Sequence, residues 1–534
     1  MTQGVSLPGS VRRALSGARR SRSSPANAWL LPLVMSLLAG FAGMVIALGS
    51  LPLSMLVVAL IVGPAVLLMP ATGLISLFLL MSTVIAGCMQ YFLRIEQSHW
   101  LPALLLIAMF VRLPVDAFRH SARNPGLGGL SGLGLVLLVF GTLVIGSALV
   151  NLSPPMQVLV GLKQYVFPLA LIATIVFAGA KWGYWLRVWR MVPWLMLLQL
   201  PLCLYQYIFV EKGSAASFGA LGIAWDRVVG SFGGNPEGGG SSGALAMFLC
   251  FGLVATLALR RGGYISGRLT WAACVAALAS VFLAEVKVVA VFLPLALLVY
   301  YRRHVMRSVG SFLLWSLSSL LFVVALLVAY QVLHYSDKGS RSIDLAATFS
   351  YSTRAEKDIT MYNRQTGEMS RLGALVTWGQ ENVGAGKMVE TLIGYGPAAS
   401  KSFSSLFGQG AEARKHPFQL QVSTASALLW DVGLLGTGCF ALLFAFGFVQ
   451  AVRLANRLAD SAPLQSGLMD MAAVAIALTS VGLIYDASSL FVAPVQMLSS
   501  WAIGLVALVA AFARQAPDSA AAAVSAGAFR SAKA

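Results

Sequence analysis

The stretch "SGLGLVLLVFGTLVIGSALV", residues 131–150, carries no charged side chain. As a helix it is about 30 Å long, the thickness of the hydrocarbon core of a bilayer. Similar runs recur near 29–48, 51–69, 72–91, 100–114, 158–178, 191–210, 242–259, 269–285, 288–301, 310–332, 432–452, 466–485 and 490–512. The 534-residue chain is 58% hydrophobic and 10% charged, which excludes a single soluble domain. It reads as an all-α polytopic membrane protein with about fourteen transmembrane helices. The runs beginning near Leu51 and Val288 follow such short connections that re-entrant segments fit them as well as full crossings.

Lysine and arginine counts in short loops set orientation. With the N-terminus cytoplasmic, more than half of the 37 basic residues fall on the inner side, among them Arg12, Arg13, Arg112, Arg119, Arg187, Arg260, Arg261, Arg302, Arg303, Arg453 and Arg457. The short outer loops keep Arg94, Lys212, Arg227 and Lys287. The net charge of +18 is thus mostly topological, and nucleic acid is not needed to explain it.

The organisation that follows is a basic cytoplasmic tail over 1–28, eleven helices over 29–335 with an outer loop at 211–241, a large periplasmic loop over 336–421, three helices over 422–513, and a disordered Ala/Ser-rich tail over 514–534. The first 28 residues, rich in Arg and Ser and lacking acids, also fit an organellar transit peptide. The large loop holds ten basic and eight acidic residues, a nearly balanced exposed domain. No tandem repeat stands out. The five cysteines all fall in expected spans, so neither a disulfide framework nor a thiolate metal cluster is expected.

Charges in or beside the membrane are costly and point to function. They gather on the outer side: Lys163 within a span, Asp226 and Arg227 in a glycine loop, Glu285 and Lys287 in a tight turn, and Arg371, Arg414, His416 and Asp431 around the large loop. The glycine loop reads "RVVGSFGGNPEGGGSSGALAMFL" from Arg227 and turns directly into an apolar helix. Its glycines, Gly233, Gly234 and Gly238 among them, allow successive amides to point inward, and Ser241 or Ser242 can cap the helix that follows. Such a nest at a helix N-terminus attracts anions, and Arg227 can grip phosphate oxygens in two places. A flexible loop that only turns the chain is the plain alternative.

These residues resemble the bacterial O-antigen ligase and Wzy-type polysaccharide polymerase superfamily. "RVVGSFGGNPEGGGSSGALA" is similar to its Arg-Gly-Asn-Pro loop. "FLAEVKVVAVFLPLALL", "RLGALVTWGQENVGAGKMVETLIGYGPA" and "VSTASALLWDVGLLGTG" follow in the family's order and resemble its Ser-Arg turn, its Arg-Trp helix with a Gly-x-Gly turn, and its closing acid-glycine pattern. Together they cover roughly residues 130–455. The spacing of Arg227 and Gly238 also matches a polymerase motif, a match that chance supplies readily in a chain with 52 glycines. Where the family usually has a histidine upstream of the acid, this chain reads Val422, Ser423 and Thr424, with His416 out of register. That departure favours polymerase over ligase.

The resemblance implies a GT-C-like fold in the bacterial inner membrane and a metal-independent, inverting glycosyl transfer with no cofactor. The donor would be an undecaprenyl-diphosphate-linked oligosaccharide and the acceptor a second carrier-linked unit. A polysaccharide flippase and chain-length or export proteins are the partners it allows. Arg227 and Arg371 suit the departing diphosphate because they stay protonated and bind bidentately. Lys287, Lys163 and Gly238 join them as diphosphate contacts. Asp431, then Glu285, then His416 are candidates for a general base. Each has a plainer reading: Asp431 as a helix N-terminal acid, Glu285 as a partner of Lys287 or Lys163, His416 as an exposed loop residue. Tyr165 and Trp378 are candidates for sugar stacking or interfacial anchoring. A flippase or transporter, a noncatalytic assembly subunit and a protein O-glycosyltransferase are the rivals.

Overall fold

The structure is a computed structural model that describes residues 63–123, 132–211, 227–236, 241–330, 369–404 and 408–515, with Gly40 and Gly43. The expected N-terminal tail, residues 516–534 of the C-terminal one, the 336–368 part of the large loop, Asp226, Lys212 and Gly238 lie outside these residues, as does nearly all of the first two expected spans. The chain divides at Pro70, and the fold below is that of the unit beginning there.

Among the described residues the protein is helical, with one isolated bridge between Ser404 and Gly408 and no β-strand. Among the described residues nine helices are long and apolar enough to cross a membrane, and a bent pair makes a tenth. The protein is therefore an all-α, multi-pass membrane protein. In chain order come α1 (Ala71–Phe92), α2 (Trp100–Arg123), α3 (Gly132–Val150) and the bent pair α4 (Pro155–Tyr165) and α5 (Phe167–Phe177). Next is α6 (Trp182–Tyr205), and beyond the glycine loop lie α7 (Ser242–Arg261), α8 (Gly267–Leu283), α9 (Val289–Val305) and α10 (Val309–Tyr330). The large loop contributes the short α11 (Arg371–Trp378) and α12 (Met388–Ile393). The last helices are α13 (Thr424–Arg457), α14 (Pro463–Tyr485), the one-turn α15 (Ser488–Phe491) and α16 (Ala493–Gln515).

Helices that are apolar all round cannot be sorted by amphipathicity, so packing decides which go inside. Small residues let α14 sit deep: Ala472, Ala473 and Ala475 are fully buried and admit close neighbours. In α7 and α16, 89% of the apolar window is buried; in α10 the share is 6%, and its Leu313, Leu314, Leu317, Leu320 and Leu321 are left facing outward as a lipid surface.

Several elements depart from expectation: the helix expected from 191 starts at Trp182, and α8 and α9, at 17 residues each, are not among the nine candidate spans. Two further departures bear on the site. The run at 158–178 is two helices meeting at 41°, because Pro168 at the start of α5 has no N–H for the carbonyl one turn back. The helix expected from 432 starts at Thr424 instead, since Ser423 and Ser426 form a reciprocal capping box. It then breaks at Gly433 (φ 65°, ψ −166°). Gly433 and Gly394 (φ 72°) face each other where two backbone segments cross, and a Cβ on either would overlap the other segment. Asp431 consequently lies inside α13, not at its N-terminus.

Candidate functional site

The glycine loop is anchored in its first half and open in its second. Tyr91 Oη donates to Arg227 O at 2.8 Å, Gln206 Oε1 accepts from the amides of Val229 and Gly230 at 2.9 and 2.7 Å, and Gln199 Oε1 accepts from Ser231 N at 2.9 Å. Ser231 Oγ donates to Thr83 O. Residues 227–232 are buried by these contacts, Arg227 with 3% exposure. The loop presses so closely on α1 that Gly87 has no room for a side chain beneath Ser231 and Phe232. Gly233 and Gly234 then take positive φ (82° and 137°) and swing the chain outward. Ser241 is the N-cap of α7, but its side chain makes no capping hydrogen bond.

Phe232, Gly234, Asn235, Pro236 and Ser241 line a cavity of about 600 Å³. Its other walls come from α1, the start of α2, α4, the 401–404 segment and the start of α16. The titratable lining residues are Arg94, Glu96, His99, Lys163 and Lys401. Three are cations and one is a carboxylate, so the space favours anions. Lys163 Nζ lies 4.1 Å from the centre of the Trp100 ring and Lys401 Nζ 4.4 Å from that of Phe491. Arg94, held at φ 56°, donates to Asn235 Oδ1 at 3.1 Å. His99 Nδ1 is 2.6 Å from Glu96 O. Burial pushes Lys401 down to about 8, and the charge of Asp431 opposes that shift only in part.

Behind the cavity, Asp431 is fully buried and gathers three donors. Tyr165 Oη donates at 2.7 Å, Ala398 N at 2.8 Å and Ser400 N at 2.7 Å. Its backbone carbonyl accepts from Gly396 N at 3.0 Å and Ser147 Oγ at 3.0 Å. Asn151 Nδ2 donates to Gly394 O at 3.0 Å, and Gln157 Oε1 accepts from Ala411 N at 3.1 Å. The stretches 394–404 and 408–411 are thereby stitched to α3 and α4.

No protein-family model matches this chain, and no curated protein matches it. The chemistry of the site rests on its own residues.

Of the residues singled out from sequence, Lys163 and part of the glycine loop line the cavity; Arg227, Arg371, Glu285, Lys287, His416 and Asp431 do not. Arg371 stacks on Tyr485, 4.4 Å from the ring centre, and its Nε donates to Tyr485 O. Glu285 (φ 51°) and Lys287 occupy the turn between α8 and α9, where Tyr330 Oη donates to Val286 O at 3.1 Å. His416 sits in a cluster apart from the cavity lining, its Nε2 3.4 Å from Glu412 and 3.6 Å from Glu381, with its ring against Phe418 and Trp430. Trp378 is buried beside Ala413, Leu420 and Trp430 and donates to Leu429 O at 3.1 Å, so it packs the outer segment. Tyr165 holds Asp431 and is itself buried. Sequence reasoning did not single out Glu96, His99 or Lys401 as site residues, and Arg94 it counted only as a loop charge.

Proposed function

We propose that this protein polymerises lipid-linked polysaccharide repeat units at the outer face of a bacterial inner membrane, transferring a saccharide from an undecaprenyl-diphosphate carrier to the sugar end of another carrier-linked unit with inversion. The observation that carries this reading is the cation-rich cavity walled in part by the glycine loop, at the end of the bundle opposite the paired Arg302 and Arg303. Fourteen spans and an inside N-terminus complete the proposal, because they put that cavity on the side away from most loop arginines.

In this scheme the acceptor oxygen bonds to the anomeric carbon as the bond to the diphosphate breaks, and the electron pair leaves on the phosphate. Fixed cations stabilise that charge most when they are desolvated and already in place. Lys163 and Lys401, partly buried at the cavity wall, come nearest to both conditions, with the exposed Arg94 at the same wall, and such groups can do the work of a divalent ion. Glu96 and His99 are the described lining groups suited to take the acceptor proton. Asp431, with its oxygens occupied by three donors, acts here as a positioning residue. The test is deletion of the gene, which should leave single repeat units on their carrier at the outer leaflet; purified protein should lengthen them in excess chelator. Normal-length polymer in the deletion strain would refute the reading.

A second reading, polysaccharide translocation, draws on the two helix breaks. The α4–α5 bend and the α15–α16 break meet at a narrow cleft of about 30 Å³ lined by Gln164, Ser489 and Gln496, which shares Gln164, Leu490 and Gln496 with the lining of the larger cavity. Broken helices facing each other are a transporter's device. Carrier-linked units trapped at the inner leaflet in the deletion strain would select it.

A further inference from the structure

We infer that Lys163 and Lys401 form a two-lysine seat for a diphosphate group, and that the buried Asp431 sets the spacing between them. The inference rests on the polymerase reading only for the identity of the ligand; the seat itself is argued from geometry.

Both lysines line one cavity, and among the described residues neither has a carboxylate within salt-bridge distance. Each ammonium is held over an aromatic ring, Trp100 or Phe491, which steadies a cation without neutralising it. Two like charges sharing one low-dielectric space repel each other, and an anion that reaches both relieves that repulsion. A diphosphate offers oxygens to both at once, each a charge-assisted hydrogen bond.

The lysines sit on separate segments, α4 and the 394–404 stretch, and one carboxylate ties those segments together. Tyr165, two residues past Lys163, donates to Asp431 Oδ2; Ser400 N, one residue before Lys401, donates to Oδ1, and Ala398 N to Oδ2. The donors converge on a side chain with no exposure, so the backbone positions from which the two lysines extend are held before any ligand arrives. The other charged or titratable groups facing the space are Arg94, Glu96 and His99, with Asp431 and Tyr165 behind it. Burial lowers Lys401 to about 8, so the seat loses a charge as pH rises through that value.

The test uses the purified full-length protein in detergent and titrates it calorimetrically with inorganic pyrophosphate and, separately, with farnesyl diphosphate. Wild type should bind both at pH 6.5 and lose about tenfold or more of its affinity by pH 9.5. Lys163→Met and Lys401→Met should each weaken binding at pH 6.5 by about tenfold or more, the loss of one hydrogen-bonded charge. Lys401→Arg should keep binding and flatten its pH dependence, which a purely structural lysine would not do. Asp431→Asn should weaken pyrophosphate binding; if that variant does not fold, Tyr165→Phe removes one tie and should give a smaller loss in the same direction. Tighter binding of the prenyl form assigns the seat to a lipid-borne diphosphate, and equal affinities assign it to a soluble one; the seat stands in both cases. Wild-type affinity in both Lys→Met variants, or a pH profile unchanged by Lys401→Arg, overturns the inference. No glycosyl transfer is read, so failure here leaves the polymerase reading to its own precursor test.

Discussion

The two ends of the helix bundle both carry basic side chains, and they use them differently. At one end Arg302 meets Asp470 at 2.8 Å, Arg303 donates to Asn456 at 2.8 Å, and the group locks α9 to α13 and α14. At the other, Lys163 and Lys401 lie over aromatic rings at a cavity wall with no carboxylate partner among the described residues. Charge count does not separate these ends; the partner does. A cation whose partner is a fixed acid holds helices together, whereas one that faces open space is placed for something that arrives.

The largest effect should come from Asp431, which serves the second end from behind. Asp431→Ala leaves Tyr165 Oη and two amides buried without an acceptor. We expect a loss of about 3 kcal/mol or more, read as thermal unfolding in detergent, with transfer abolished. A stable, active Asp431→Ala would remove the common support from under both lysines.

Next in size is a split between rate and stability. Lys163→Met or Lys401→Met should lower transfer about a hundredfold, by the measure of removing one preorganised donor, with little change in melting temperature. Arg302→Met or Asp470→Asn should do the reverse. That pair is about 15% and 14% exposed, so breaking it should cost about 1–2 kcal/mol in stability and leave the rate per folded molecule within about threefold. Arg227→Lys is the variant that can break the comparison. If it abolishes transfer in a folded protein while Lys163→Met does not, the arginines and not the lysines neutralise the leaving group.

Much of the fold was legible because a bilayer demands long apolar runs whatever else the sequence says, and most spans lie where those runs do. The exceptions turn on one or two residues: Pro168 bends a run that looks continuous, and Ser423 with Ser426 starts a helix earlier than hydropathy suggests. The site was legible in part. Lys163 stands out as a lone charge in an apolar run, and the glycine loop stands out by composition. Lys401 is one of ten basic residues in a long loop, and nothing in its neighbours marks it. What brings it to the cavity is a pair of backbone amides, at Ala398 and Ser400, that find a carboxylate some thirty residues on. Backbone hydrogen bonds of that kind leave no trace in residue types. They also change the reading of Asp431, whose identity suggested a base and whose neighbours make it an anchor.

The smallest effect tests whether partner or place decides a charge's role. Lys415 lies in the same expected loop as Lys401, yet it is paired, with Nζ 2.7 Å from Glu412 Oε2, and His416 flanks the same carboxylate. Burial alone would raise Glu412, but hydrogen bonds from His416 and Lys415 outweigh it and hold the carboxyl below its usual 4.5. A carboxylate depressed in the folded state adds stability above its unfolded value and gives it up as pH falls through the folded one. Acid should therefore loosen the outer segment only below about pH 4.5, read as faster amide exchange around Ala413. At neutral pH Glu412→Gln should reproduce that loosening while transfer stays within about threefold, because the paired Lys415 supports structure as Arg302 and Arg303 do. A severe loss of transfer in Glu412→Gln would mean that location, not pairing, assigns these charges their work.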